Sequence, residues 1–239
     1  MTKPTKETTR QWYEEAYARE GYRAQRNYPN EELLRFMGRH FFSKDGIDRS
    51  AVKVLEVGCG TCANLWMIGR EGFDAYGIDL SAEAIELGRL RLAHWGTGAK
   101  LEVGSMTELP YEENTFDVIV DVFSSNCLDM NDFQRYLAEA ARVTKTGGRM
   151  IMYTPTSESD AFKNHAPAEK IDPQTLNGIY RKDSPFHGNY YPFRFSSVEW
   201  LKETLNKYGF DVSYAETITR SYNDRSEVFQ HVTIEAVKK

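Results

Sequence analysis

The chain has 239 residues, a length that one α/β domain can reach. At 41% hydrophobic and 27% charged residues, it reads as a globular chain with a core of its own. The net charge of −5 argues against a nucleic-acid partner, and three cysteines are too few for a disulfide framework.

The opening Met1–Glu15 stretch, MTKPTKETTRQWYEE, is polar and lacks the apolar core of a secretory signal. No segment approaches the roughly 18 apolar residues of a membrane helix. The expectation is a cytoplasmic chain without membrane contact. Thr9–Gln25 has a helical pattern and carries Trp12, Tyr13, Tyr17 and Tyr22. Asn30 is placed to cap a second helix running to Phe41. Both precede the first strand, so they must pack over the sheet or across its mouth.

From Ala51 onward, short apolar runs alternate with helical patterns. Ala51–Val57, Phe73–Ile78, Leu101–Val103, Phe116–Val122 and Arg149–Tyr153 read as strands. Ala63–Glu71, Ser81–His94 and Asp132–Val143 read as helices, the second with Ile85, Leu87, Leu90 and Leu92 near one face. This alternation implies a mostly parallel sheet between helices. Between Pro155 and Phe195 the rhythm breaks, and the segment holds five of the eight prolines. Ser196-Ser197-Val198-Glu199 has capping-box spacing for a helix to about Tyr208. Phe210–Tyr214 and His231–Val237 can pair as a terminal hairpin. The chain therefore divides into an N-terminal helical lid (1–50), a core (51–154), an insertion acting as a second lid (155–195) and a C-terminal helix with hairpin (196–239).

The chemistry concentrates in Val54-Leu55-Glu56-Val57-Gly58-Cys59-Gly60-Thr61-Cys62-Ala63-Asn64, a strand, a glycine turn and a helix. Gly58 and Gly60 let the backbone turn tightly and approach a ligand. Ligands bind at the carboxyl ends of such strands. The pattern also fits a dinucleotide fingerprint, with Asp79 about 20 residues on as the ribose acid. An NAD-dependent oxidoreductase therefore stands as an alternative. Glu56 favours another ligand: a carboxylate at this strand end is unhelpful beside a pyrophosphate and suits a cationic amino group and a sulfonium.

Four segments in order, LEVGCGT, GIDLS, GSMTELPYEENTFDVIVD and ARVTKTGGRMIMYTP, resemble the class I S-adenosylmethionine-dependent methyltransferase family over roughly Val52–Tyr153. The resemblance implies a Rossmann-like α/β fold: a seven-stranded, mostly parallel sheet with a C-terminal antiparallel hairpin. It implies S-adenosyl-L-methionine as cofactor, with Glu56, Gly58, Cys59 and Gly60 at its methionine end and Asn64 helping with the carboxylate. Asp79 would hold the ribose hydroxyls, Leu80 would lie against the adenine, and Met106 would meet the adenine edge. Asp121 and Val122 would approach the methionine moiety or the substrate. Ser105 stands where the family often has an aspartate for the adenine amino group, and Cys62 where it usually has a third glycine or alanine.

Several residues admit two readings. Cys59-x-x-Cys62 is a metal or redox pair, or simply two small residues in the loop; no metal is expected. Tyr13 and Tyr17 share a helix face and either fill the core or cover the cofactor. Arg23 and Arg26 form a solvated basic face or clamp an anionic acceptor. Arg181 and Arg194 in the insertion are candidates for the same clamp, with Tyr28 and Tyr191 as neighbours of the acceptor. No unmistakable base follows the fourth strand, and His187 is the candidate if one is needed. The expected function is methyl transfer to a small-molecule acceptor at oxygen; a catalytically silent cofactor-binding protein is a third reading.

Overall fold

The computed structural model describes residues 4–239, so residues 1–3 of the expected N-terminal lid lie outside the described residues. The elements in chain order are α1 (Lys6–Glu20), α2 (Glu31–Met37), β1 (Lys53–Val57), α3 (Leu65–Arg70), β2 (Asp74–Asp79), α4 (Ala82–His94), β3 (Lys100–Val103) and β4 (Phe116–Val122). They continue with α5 (Met130–Val143), β5 (Thr144–Pro155), α6 (Asp160–Lys163), β6 (Thr175–Leu176), β7 (Phe193–Arg194), α7 (Val198–Lys207), β8 (Phe210–Tyr222) and β9 (Glu227–Lys238).

Seven strands form one sheet in the order β3-β2-β1-β4-β5-β9-β8. The first five run parallel, and β9 and β8 add an antiparallel hairpin at the far edge. This is the expected architecture. Chain order reverses between β1 and β4, which opens a crevice at their carboxyl ends. Parallel strands are covered on both faces and so read as apolar runs, as Phe116–Val122 does. One core layer packs Leu33, Phe36, Leu65, Ile85 and Val118 on one face of the sheet. The other packs Leu55, Ile119, Phe133, Leu137 and Leu201 on the opposite face.

Local chemistry sets the helix starts. Asn30 accepts from the backbone N–H groups of Glu32 and Leu33, as expected. Ser81 caps α4 and Asp129 caps α5. At α7 the cap is Ser197, which accepts from Trp200, one residue later than the capping-box spacing suggested. On α4 the buried face is Ala84, Ile85, Gly88, Arg91 and Leu92, whereas Leu90 is exposed. The hairpin is longer than its apolar parts suggested, because β8 is an edge strand whose far half is polar. The insertion carries α6 and the β6–β7 pair, and it packs Tyr191, Phe193 and Phe195 in an aromatic cluster with Phe229 of β9.

Candidate active site

A cavity of about 330 Å³ opens at the carboxyl ends of β1, β2 and β4. Its walls come from α1, the glycine turn, the β4 end and the insertion. The two outer segments touch each other over it. The Trp12 indole N–H donates to the Gly188 carbonyl at 3.1 Å, and the Tyr13 and Tyr191 hydroxyls share a hydrogen bond of 2.9 Å.

The glycine turn forms the floor. Gly58 and Gly60 have φ of 63° and 50°, a region costly for other residues. Gly58 touches the cavity, and a Cβ there would lie 2.6 Å from the Ser124 side chain. Asp79, at the end of β2, accepts from Gly60 N–H at 2.7 Å and Ser81 N–H at 2.9 Å. Burial raises its carboxyl while these two donors hold it back. One carboxylate thus fixes the loop and faces the cavity. Leu80, Ser105 and Met106 continue the wall, with the Ser105 hydroxyl engaged by Thr107 and by Lys6 at 3.5 Å.

Glu56 is buried at the end of β1, behind the cavity wall. Its Oε1 accepts from the Asn64 amide at 2.5 Å, and its Oε2 has no partner among the described residues. Burial drives this carboxyl up to about 8, against the pull of Asn64 and the Arg26 guanidinium. Arg26 lines the cavity, with its buried Nε and Nη2 likewise unpartnered among the described residues. Burial lowers the Arg26 pKa, and nearby Glu56 raises it. Two buried groups of opposite charge type therefore stand close together with hydrogen-bonding capacity to spare, a costly state without a ligand.

The raised Glu56 value has a consequence for the free protein. A carboxyl higher in the folded state than its usual 4.5 gives stability that is full below about 4.5 and is lost as pH rises through about 8. A shift of this size is worth a few kcal/mol. Glu56→Gln should flatten that decline, so the stability difference between variant and wild type should change over this window. Urea denaturation at several pH values from 5 to 8.5 measures it; parallel profiles would contradict the assignment.

Of the residues expected at the cofactor, Tyr13, Tyr17, Gly58, Asp79, Leu80, Ser105, Met106 and Val122 line the cavity. Glu56, Cys59, Gly60, Asn64 and Asp121 do not. Gly60 lies beneath Gln25 and Tyr17, and Cys59 packs inward against Gly77. Asn64 is spent on Glu56 and on the Asn30 backbone rather than facing a carboxylate. Asp121 accepts from the N–H groups of Ser124 and Ser125 and so shapes the turn after β4.

The expected acceptor clamp is not assembled. Arg23 is exposed, and Tyr28 is 66% exposed against Trp66. Arg181 pairs with Glu227 at 2.7 Å, away from the cavity. Arg194 is wholly buried, donates to Ser125 and Ser196, and lies 3.5 Å from the Phe133 ring centre. His187 is exposed and does not line the cavity, so it is not placed to act as a base there. Of the acceptor candidates, Arg26 and Tyr191 remain. Sequence reading missed Trp12, Gln25, Phe123, Ser124, Cys127, Phe186 and Asn189, all in the wall. Phe123 has φ of 59°, a strain of about 1–3 kcal/mol that clusters at functional sites. Nothing in the sequence around it signals that conformation.

A family described as a methyltransferase domain matches residues 54–148, the span that carries the glycine turn, Asp79 and β4. A demethylmenaquinone methyltransferase of Listeria monocytogenes is 27% identical over 67% of this chain and 65% of its own length. One from Tropheryma whipplei is 35% identical over 42% of this chain and 40% of its own. The chain thus spans less than two thirds of these relatives' length. Among solved structures, a SAM-dependent methyltransferase of Methanosarcina mazei superposes with a TM-score of 0.66 at 18% identity, covering 78% of this chain and 92% of that one. A geranyl diphosphate methyltransferase gives 0.63 at 19% identity, covering 87% and 78%. At these identities the structural likeness establishes the fold.

Proposed function

We propose that the chain is a class I S-adenosylmethionine-dependent methyltransferase, and that it transfers a methyl group to a small-molecule acceptor, at a hydroxyl oxygen. The observation that carries this reading is a pair of orphaned groups, the Arg26 guanidinium in the cavity wall and Glu56 Oε2 just behind it. Together they fit a zwitterionic amino acid: an ammonium toward the carboxylate and a carboxylate toward the guanidinium. A dinucleotide would bring a pyrophosphate beside Glu56 and leave it unsatisfied. At the other end Asp79 offers its carboxylate to ribose hydroxyls, with Leu80 and Met106 against the adenine.

When bound, S-adenosylmethionine would supply a methyl on a sulfonium: the carbon–sulfur bond breaks as the carbon–oxygen bond forms, adenosylhomocysteine leaves as a neutral thioether, and the hydroxyl proton passes to solvent water on release. The chain's own residues then have three tasks: to bind, to align the acceptor and to exclude water. Gly58 lets the backbone come close, and Val122 with Ser124 walls the methionine side. α1 and the insertion, joined through Tyr13 and Tyr191, act as lids that keep water out. The bacterial relatives named for demethylmenaquinone fit a small acceptor. A net charge of −5 gives no field for nucleic acid. The buried free thiols Cys59, Cys62 and Cys127 suit a reducing cytoplasm.

Arg26 gives the test. Arg26→Ala should weaken adenosylhomocysteine binding by about tenfold or more, since a buried charge-assisted bond is lost. It should leave 5′-methylthioadenosine, which lacks the amino acid, unchanged. Calorimetric titration of both ligands decides: equal losses, or none, would refute the placement.

A further inference from the structure

The cavity wall is not uniform in charge. Among the described residues, the charged side chains on it are Lys6, Arg26 and Asp79. Lys6 lies by Ser105, Asp79 holds the glycine turn, and Arg26 stands near Glu56. All three belong to the part assigned above to the cofactor. The wall away from these three is uncharged among the described residues; the polar Thr9, Gln25, Ser124 and Asn189 also line the cavity, and its aromatic side is Trp12, Tyr13, Phe123, Phe186 and Tyr191 with Cys127.

These residues come from three distant segments and meet as rings. Trp12 lies 5.0 Å from Tyr13 and 5.1 Å from Tyr191, ring centre to ring centre. Phe123 stacks on Phe186 at 4.8 Å. Their polar atoms are few. The indole N–H of Trp12 is spent on Gly188. The Tyr13 and Tyr191 hydroxyls bond each other, and the Cys127 thiol lies 3.7 Å from the first. Burial holds both phenols well above their usual range and pushes the thiol up to about 12. The wall is therefore uncharged at neutral pH.

We propose that the methyl acceptor is an uncharged, planar conjugated molecule, seated among these rings with a hydroxyl oxygen on the Tyr13–Tyr191 pair. The inference rests on the methyltransferase reading above. Two hydroxyls bonded to each other retain one hydrogen and free lone pairs, so the pair can both donate to and accept from a neutral hydroxyl. Flat rings offer offset and edge contacts to another flat ring. An anion would lose its hydration here and meet no counter-charge. A cation would gain from ring faces but would find no carboxylate on this wall and would sit beside a sulfonium.

Three matched probes test the class: 2-naphthol, 2-naphthoate and 2-(aminomethyl)naphthalene, titrated by calorimetry at pH 7 into protein saturated with adenosylhomocysteine. The expected order is naphthol first, by about tenfold or more over both charged probes, the cost of stranding a charge in an apolar wall. Tyr191→Phe should weaken naphthol by about threefold to tenfold, one neutral hydrogen bond, and weaken it more than adenosylhomocysteine. Tyr13→Phe serves as a second variant should the first not fold. A charged probe that binds as well as naphthol, no measurable naphthol binding, or naphthol affinity indifferent to both variants overturns the proposal. Failure of adenosylhomocysteine to bind the wild type is a different result: it removes the cofactor reading, and this inference falls with it.

Discussion

Gly58→Val is expected to abolish measurable adenosylhomocysteine binding while leaving a folded protein. Gly58 sits at φ 63°, and a Cβ there would meet the Ser124 Cβ and Oγ at 2.6 Å. Ser124 has no easy retreat, because its hydroxyl donates to the Gly58 carbonyl at 3.1 Å and its backbone N–H is held by Asp121 at 3.3 Å. A branched side chain must therefore push the turn after β4 away or swing into the cavity that Gly58 lines. Either movement spoils the floor on which the methionine part would rest. The expected loss is at least about a hundredfold, roughly 2.8 kcal/mol. The left-handed backbone should cost stability of about 1–2 kcal/mol as well. The β1 ladder to β2 and β4 remains, so far-ultraviolet circular dichroism should be unchanged. Binding within a few-fold of wild type would show that the ligand does not approach this turn.

Asp79→Asn should weaken adenosylhomocysteine by about 10- to 100-fold, the loss of charge-assisted hydrogen bonding in a buried place. The carboxylate accepts from Gly60 and Ser81 at once, and an amide can keep one acceptor oxygen but not both. The ribose contact and the loop geometry should fail together. For that reason 5′-methylthioadenosine should lose as much as adenosylhomocysteine. Arg26→Ala is expected to separate the two ligands, so the pair of variants divides the cofactor into a nucleoside end and an amino-acid end. Calorimetry with both ligands checks it, and undiminished binding by the asparagine variant would remove Asp79 from the site.

The glycine-turn side of the cavity was legible in the sequence because its residues are local. A strand, a glycine turn and the cap of a helix lie within eleven consecutive residues, Val54–Asn64, and the acid at the end of β2 follows at a regular spacing. The sheet was legible for the same reason, since each strand and helix carries its own pattern of apolar residues. The aromatic side of the cavity was not legible, because its residues are made neighbours only by folding. Tyr13 and Tyr191 meet across 178 positions, and Trp12 reaches Gly188 across 176. Arg181 read as a free cation because its partner, Glu227, lies 46 positions away on β9. Arg194 read as a substrate clamp because an arginine in a proline-rich segment usually faces water. Here Phe193 and Phe195 carry it into the core, where Ser125 and Ser196 receive its guanidinium. Arg26 is an intermediate case: it lines the cavity as expected, and its neighbour Glu56, which the sequence places 30 positions away, is the reason it is proposed here for the cofactor rather than the acceptor.

The central claim is that the cavity at the carboxyl ends of β1, β2 and β4 is shaped for S-adenosylmethionine rather than for a dinucleotide. Parallel calorimetric titrations of the wild-type protein with adenosylhomocysteine and with NADH test it most directly. The account predicts one adenosylhomocysteine site per chain and no heat of binding from NADH. Saturable NADH binding, or the absence of adenosylhomocysteine binding, would contradict it.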